Sequence, residues 1–270
     1  MKVAAVQMVS GLSMPDNLHD AVQAIAQAAA LGCEMIALPE YFCLLGARDT
    51  DKLEIAENEG SGSMQRALSL AAQTHGVWII AGTLPLRSEQ PDRVFNSSLV
   101  FNPQGQQIAR YDKMHLFAFS HGVERYDESR VLQAGAAPVH CDVASRDGHT
   151  WRLGLSICYD LRFPELYRSL QADILLVPSA FTYTTGQAHW ELLLRARAIE
   201  NQAYVIAPAQ GGEHANGRRT WGHSMVVDAW GLVLAEQAYG AGLVIADLSW
   251  QAMQQRRNQL PALAHRRSGL

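Results

Sequence analysis

GLSICYDLRFPEL, Gly154 to Leu166, carries a strand, a break and the start of a helix. An apolar run closes at Ile157, Cys158 stands where charge begins, and Pro164 falls where a first helical turn tolerates proline, whose missing N–H has no acceptor there anyway. A strand handing over to a helix at a polar turn is the joint of α/β folds, and ligand-handling groups gather at that end of the strand. By residue type Cys158 is either a small buried hydrophobe or a thiol held up for attack. The second role requires a base for the thiol proton and a cation or amides for the negative charge that develops on the substrate.

Outward from that joint the pattern repeats. Val3 to Val6 reads as a buried strand, and Pro15 opens a helix to about Leu31 with Leu18, Val22, Ile25 and Ala29 at helical steps. Glu34 to Leu38 and Val77 to Ala81 are buried strands flanking a helix over Met64 to Thr74. Asn102-Pro103-Gln104-Gly105 is a turn between strands at 98–101 and 107–111, hence a hairpin. Residues 117–139 are polar and irregular, an expected active-site loop region. Beyond the opening stretch, 164–170 and 189–201 read as helices, with strands at 153–157, 174–177, 204–207, 224–228, 232–235 and 242–246. Trp190, Leu193, Leu194 and Arg197 recur at helical spacing as packing residues, and Arg195 and Glu200 are candidates for buried ion pairs. So many strands in one chain, with no Gly/Ser linker, predict two packed sheets with helices outside.

Glu40 and Lys113 each follow the end of a predicted core strand, as Cys158 does. Strand ends on one edge of a sheet converge, so a carboxylate, an ammonium and a thiol share one geometric address. Taken singly, Glu40 could start a helix and Lys113 could be a solvated cation. The spacing leaves both readings open.

Composition narrows the classes. A chain of 270 residues with 48% hydrophobic residues buries a core without staples, and a net charge of −4 with only short arginine doublets near the C-terminus argues against a nucleic-acid partner. No apolar run reaches transmembrane length, and the N-terminal stretch is too short for the core of a signal peptide. Four scattered cysteines without C-x-x-C spacing predict reduced thiols in a cytoplasmic protein, and the ten histidines show no metal-ligand spacing, so neither metal nor cofactor is expected.

Three segments, ALPEYF (37–42), RYDKMHLF (110–117) and GLSICYDLRFPEL, strongly resemble the glutamate, lysine and cysteine signatures of the nitrilase superfamily of carbon–nitrogen hydrolases. The likeness runs from VAAVQ at Val3 to the final strands. It implies a four-layer α-β-β-α sandwich with catalytic Glu40, Lys113 and Cys158, the backbone N–H of Tyr159 as a second oxyanion donor, and a cysteinyl thioester intermediate. Tyr126-Asp127-Glu128-Ser129 resembles the segment carrying a second glutamate, which gives Glu128 the task of holding Lys113. His115 and His189 are then left to hydrogen bonding, and Cys43 to burial.

The stretch PSAFTYTTGQAHWELLLRARAIENQAYVIA (178–207) is similar to the Nit branch, which acts on amides of keto-dicarboxylic acids. That likeness assigns Arg162 and Thr185 to the acidic end of the substrate, with Phe181 and Ser179 nearby. A guanidinium grips a carboxylate with two parallel hydrogen bonds, while a structural pair of Arg162 with Glu165 or Asp160 is the alternative. RFPEL, WGHSMVVD and LPALAHRR lean toward the amidases for deaminated glutathione over the ω-amidases for 2-oxoglutaramate and 2-oxosuccinamate. An N-carbamoyl hydrolase or nitrilase with the same triad, and an inactive scaffold, are the remaining alternatives. The resemblance also implies a hydrolase domain over 1–250, a tail over 251–270 packing on a partner subunit, and homodimers joined through the helices near 164–170 and 189–201.

Overall fold

Along the first strand, Val3 and Ala5 join one hydrophobic cluster and Ala4 and Val6 another. This alternation builds the architecture, because a strand buried on both faces must be covered twice. The computed structural model describes residues 1–122 and 124–267. The elements in chain order are β1 (Lys2–Gln7), α1 (Met14–Ala30), β2 (Met35–Ala37), α2 (Asp51–Glu54), α3 (Ser63–His75), β3 (Trp78–Ile80), β4 (Leu84–Arg87), β5 (Val94–Phe101), β6 (Gln107–Asp112), β7 (Ala118–His121), β8 (Glu124–Asp127), β9 (Leu132–Gln133), β10 (His140–Ala144) and β11 (Thr150–Leu155). After a 3-10 turn at Cys158–Arg162 come α4 (Pro164–Leu170), β12 (Ile174–Leu176), α5 (Tyr183–Asn201), β13 (Tyr204–Ala207), β14 (Gly211–Glu213), β15 (Arg219–Trp221), β16 (Ser224–Val227), β17 (Val233–Gln237), β18 (Gly242–Asp247) and α6 (Trp250–Gln259).

One sheet runs β18-β1-β2-β3-β5-β4, with β6 and β9 also pairing with β5; the other runs β10-β11-β12-β13-β16-β17. Ala4, Val6, Ile36 and Ile79 pack under Ile25 and Ala28 of α1 and Leu68 and Ala72 of α3. Val3, Ala5, Met35 and Ile80 share a cluster with Trp151, Leu153 and Leu155 of the second sheet, and Trp190 and Leu194 of α5 belong to that cluster too. The layers are therefore helix, sheet, sheet, helix, in the four-layer arrangement expected. Together the two clusters bury tens of apolar side chains, and each fully buried Val, Leu, Ile, Phe or Met contributes roughly 1.5–3 kcal/mol.

Several elements differ from the sequence reading, each for a local reason. The buried stripe of α1 is Asn17, Ala21, Ile25 and Ala28, one step round from the stripe expected, because the Asn17 amide is drawn inward to Gly11 and the Cys43 carbonyl. Helix α5 begins at Tyr183, not at 189. Gly186 lies within the helix and lets Trp221 approach so closely that a Cβ would sit 2.3 Å from that side chain. The 117–139 region contains the β7–β8 hairpin and β9, and residues 250–259, assigned mainly to a tail, form α6. That helix lies on its own chain, with Met253 buried and Arg257 paired with Asp173 at 2.7 Å. Arg195 pairs with Glu191, while Glu200 pairs with Arg197. Among the described residues no helix is long and apolar enough to cross a membrane.

Candidate active site

Glu40 follows β2 by three residues, Lys113 follows β6 directly and Cys158 follows β11 by three. Each approach has its own backbone device. Gly82 takes φ +52° and comes so close to the Pro39 carbonyl that a Cβ would lie 2.1 Å from it, which fixes the chain just before Glu40. Tyr41 then adopts φ +54° with its N–H donating to Thr83 Oγ1 at 2.9 Å. Cys158 also sits in the left-handed region, at φ +49°, its N–H donating to the Pro178 carbonyl at 3.0 Å. Such a conformation costs a non-glycine residue about 1–3 kcal/mol and persists only where the surroundings enforce it.

The enforcing group is Asp160, fully buried. Its carboxylate accepts from Ile157 N at 2.8 Å, from Tyr111 Oη at 2.7 Å and from His115 N at 3.1 Å, and lies 2.6 Å from His115 Nδ1. Asp160 thereby ties the cysteine turn to the segment bearing Lys113.

Lys113 is buried between two carboxylates. Its Nζ lies 2.9 Å from Glu40 Oε1 and 2.8 Å from Glu128 Oε2. Glu40 also accepts from Asn96 Nδ2 at 2.9 Å and from Ala180 N at 2.8 Å. Glu128, from the turn after β8, accepts from Tyr41 Oη at 2.9 Å and Phe117 N at 2.7 Å. Cys158, 8% exposed, faces the same cavity as Glu40 and Glu128.

The charges act against one another in a definite order. Burial, then the Glu40 carboxylate, push the Cys158 thiol well above its ordinary value against the opposing pull of Lys113. Burial alone would lower Lys113, but Glu128 and Glu40 outweigh it and raise it above the usual lysine value. Burial would raise Glu128, but Lys113 lowers it below the usual carboxylate value. At rest the thiol therefore keeps its proton, while Lys113 and Glu128 hold each other in their charged forms.

A pH dependence of stability follows. Glu128 has its folded value depressed, so its contribution is present above the unfolded value of about 4.5 and is lost as pH falls through the folded one. Lys113 contributes fully below about 10.5 and loses that contribution as pH rises through its raised value. Glu128→Gln is therefore expected to destabilise the protein most at neutral pH, by about 3 kcal/mol for breaking a buried pair, with the penalty shrinking below about pH 4.5. Urea midpoints at pH 7, 5 and 3.5 measure it; a penalty independent of pH would remove Glu128 from this account.

Of the sequence candidates, Glu40, Glu128, Cys158, Tyr159, Phe181 and Thr185 line the cavity. Lys113 stands behind its wall, bonded to both glutamates. Ser179 lies outside the lining, its Oγ donating to the Val177 carbonyl. Arg162 makes no ion pair with Glu165 or Asp160; it contacts His189 Nδ1 at 3.3 Å and lies over the Phe181 ring at 5.4 Å. Tyr41, Phe117, Ala180, Thr182 and Arg218 also line the wall and are not among the sequence candidates. The only local signal for Arg218 is a weak one, a cation directly after the Asn216-Gly217 turn. Asn96 and Asp160 were also missed, although Asp160 three residues after Ile157 fits a side-chain cap on the cysteine turn.

The carbon-nitrogen hydrolase family pattern matches residues 2–258. The deaminated glutathione amidase of Yersinia enterocolitica is 42% identical over 98% of this chain and 92% of its own length. The enzyme of the same name from Synechocystis is 43% identical over 97% of each chain. The crystal structure of the Caenorhabditis elegans NitFhit protein superposes with a TM-score of 0.87 at 36% identity, covering 99% of this chain and 65% of that one. This chain thus spans just under two thirds of that protein's length.

Proposed function

The chain belongs to the carbon–nitrogen hydrolase family, and from that premise we propose that it cleaves deaminated glutathione to 2-oxoglutarate and cysteinylglycine through a thioester on Cys158. One observation carries the proposal: a thiol, an ammonium and a carboxylate share one buried site, in a chain alignable end to end with deaminated glutathione amidases.

The chemistry follows from that arrangement. Cys158 Sγ attacks the amide carbonyl carbon while Glu40 takes the thiol proton, so no free thiolate builds up beside two carboxylates. An ammonium has three N–H donors. Two of Lys113's are held by Glu40 and Glu128, and the third is available to the carbonyl oxygen as it becomes an oxyanion. The N–H of Tyr159 is the second donor; losing one such donor costs about 3 kcal/mol of transition-state stabilisation. Glu40 passes its proton to the departing nitrogen, the carbon–nitrogen bond breaks and cysteinylglycine leaves. Water, deprotonated by Glu40, then attacks the thioester, and the thiol is restored as 2-oxoglutarate departs. Phe181 and Thr185 bound the acyl half, and Arg162 meets its acidic end.

We place the enzyme in a reducing cytoplasm, consistent with its free cysteines, and as a dimer joined over α4 and α5, where Leu192 is 71% and Ile199 51% exposed. The deciding measurement is kcat/KM on deaminated glutathione against 2-oxoglutaramate. Deaminated glutathione is expected to be preferred by at least about tenfold, which is about 1.4 kcal/mol of extra transition-state binding. A preference for 2-oxoglutaramate would make the protein an ω-amidase.

A further inference from the structure

Arg218 lines two cavities at once. It stands in the wall around Cys158 and in the wall of an adjoining outer cavity of about 300 Å³. Arg48, Lys52, Arg125 and Arg218 line that outer cavity, and Asp49 is its acidic residue among the described residues. Two of the cations are engaged: Arg48 with Asp51 at 2.9 Å and Glu54 at 3.2 Å, and Lys52 with Asp49 at 3.7 Å. Arg218 makes no ion pair with a described carboxylate; its guanidinium lies over the Tyr126 ring at 5.2 Å.

Its backbone is fixed. Arg218 N donates to Asn216 Oδ1 at 2.9 Å, His214 N donates to the Arg218 carbonyl at 2.9 Å, and Asn216 Nδ2 donates to the Gly46 carbonyl at 2.8 Å. Lys52 stands close by over the Tyr41 ring, at 4.8 Å. Burial pulls its ammonium below the ordinary lysine value, and Arg218 adds repulsion against the attraction of Asp49. Two half-buried cations on a preorganised wall make a receptor for an anion, and a guanidinium with no carboxylate partner offers it a two-pronged grip.

We propose that Arg218, with Lys52 behind it, receives the terminal carboxylate of the leaving peptide. This rests on the substrate reading above. The acyl half stays on Cys158 after the first step, so the amine half must occupy the side that leads outward, and Arg218 marks that side. From the scissile nitrogen to the terminal carboxylate there are two residues, about 7 Å at full extension, a span suited to a receptor on the wall of the same cavity. A bare amide releases only ammonia and has nothing to place there. Arg218 thereby sets the preference for a peptidyl amide over a simple one.

The test compares wild type, Arg218→Gln and Arg218→Lys on three substrates: deaminated glutathione, the same molecule with its terminal carboxylate converted to a carboxamide, and 2-oxoglutaramate. A hydrogen bond between charged groups predicts a loss of about 10- to 100-fold in kcat/KM for Arg218→Gln on deaminated glutathione, mostly through KM. That loss should exceed the loss on 2-oxoglutaramate by at least about tenfold. Wild type should suffer a similar drop on the carboxamide, and Arg218→Gln little further, because the charge pair is already gone. Arg218→Lys should fall between, retaining charge without the fork. If wild type prefers deaminated glutathione but Arg218→Gln loses equally on all three substrates, Arg218 holds the shared 2-oxo-acid end or supports the fold, and the assignment falls while the substrate reading stands. If wild type does not cleave deaminated glutathione, both fall together.

Discussion

Cys158→Ala and Cys158→Ser are expected to lower kcat on deaminated glutathione by about 10⁴- to 10⁶-fold, the scale seen when a covalent nucleophile is removed, with melting temperatures within a few degrees of wild type. The structure gives a reason for the second half of that statement. The left-handed backbone at 158 costs alanine or serine no more than it costs cysteine, since all three carry a Cβ. The turn is held by Asp160 and by the Pro178 carbonyl, neither of which contacts the sulfur. Serine keeps a donor for Glu40 but is a far weaker nucleophile. Circular dichroism and thermal melts report the fold, and acid-quenched mass spectrometry of wild type with substrate should find the acyl half on Cys158. A serine variant retaining more than about a hundredth of the activity would exclude the thioester route.

Glu40→Gln is expected to act in two opposite directions. Turnover should fall by about 10²- to 10⁴-fold, the contribution of a positioned acid–base group, because glutamine cannot carry the proton from thiol to leaving nitrogen or from water to thiol. The intrinsic acidity of the thiol should rise. After burial, Glu40 is the largest cause holding the Cys158 thiol up, and its removal leaves the pull of Lys113 less opposed. Lys113 stays in place through Glu128 at 2.8 Å. The pH midpoint for alkylation of Cys158 by iodoacetamide should therefore move down, and alkylation at neutral pH should quicken as catalysis collapses. Alkylation that slows in step with turnover would mean that Glu40 supports the cysteine sterically.

The sequence was most legible where chemistry coincides with strand ends. Glu40, Lys113 and Cys158 follow apolar runs, and such runs are hard to hide. Spacing suggested convergence but left the dull readings open, and the resemblance closed that gap. What stayed hidden depends on tertiary closure. Arg218 sits in Gly217-Arg218-Arg219, which looks like an ordinary surface turn until β14 and β15 fold it over the cavity. Asp160 looks like one more charge after the cysteine, yet four contacts converge on it. Glycine within a helix is usually a weakness, but the space left by the missing side chain of Gly186 is filled by Trp221. The β7–β8 hairpin escaped notice because its strands are short and polar, and the contact that ties them, Phe117 against a tilted Tyr126 ring at 5.7 Å, crosses between segments.

Glu40, Lys113 and Glu128 belong to one sheet and its loops, while Cys158, Phe181 and Thr185 belong to the other. The proposed catalytic centre is therefore a seam, and it exists only while the halves are clasped. Heat or denaturant that loosens the clasp by an ångström should silence the enzyme while far-ultraviolet circular dichroism still looks native. Fragments divided between Gly135 and Ala136 should each be inert and regain turnover only on mixing, so that activity would count reunited molecules.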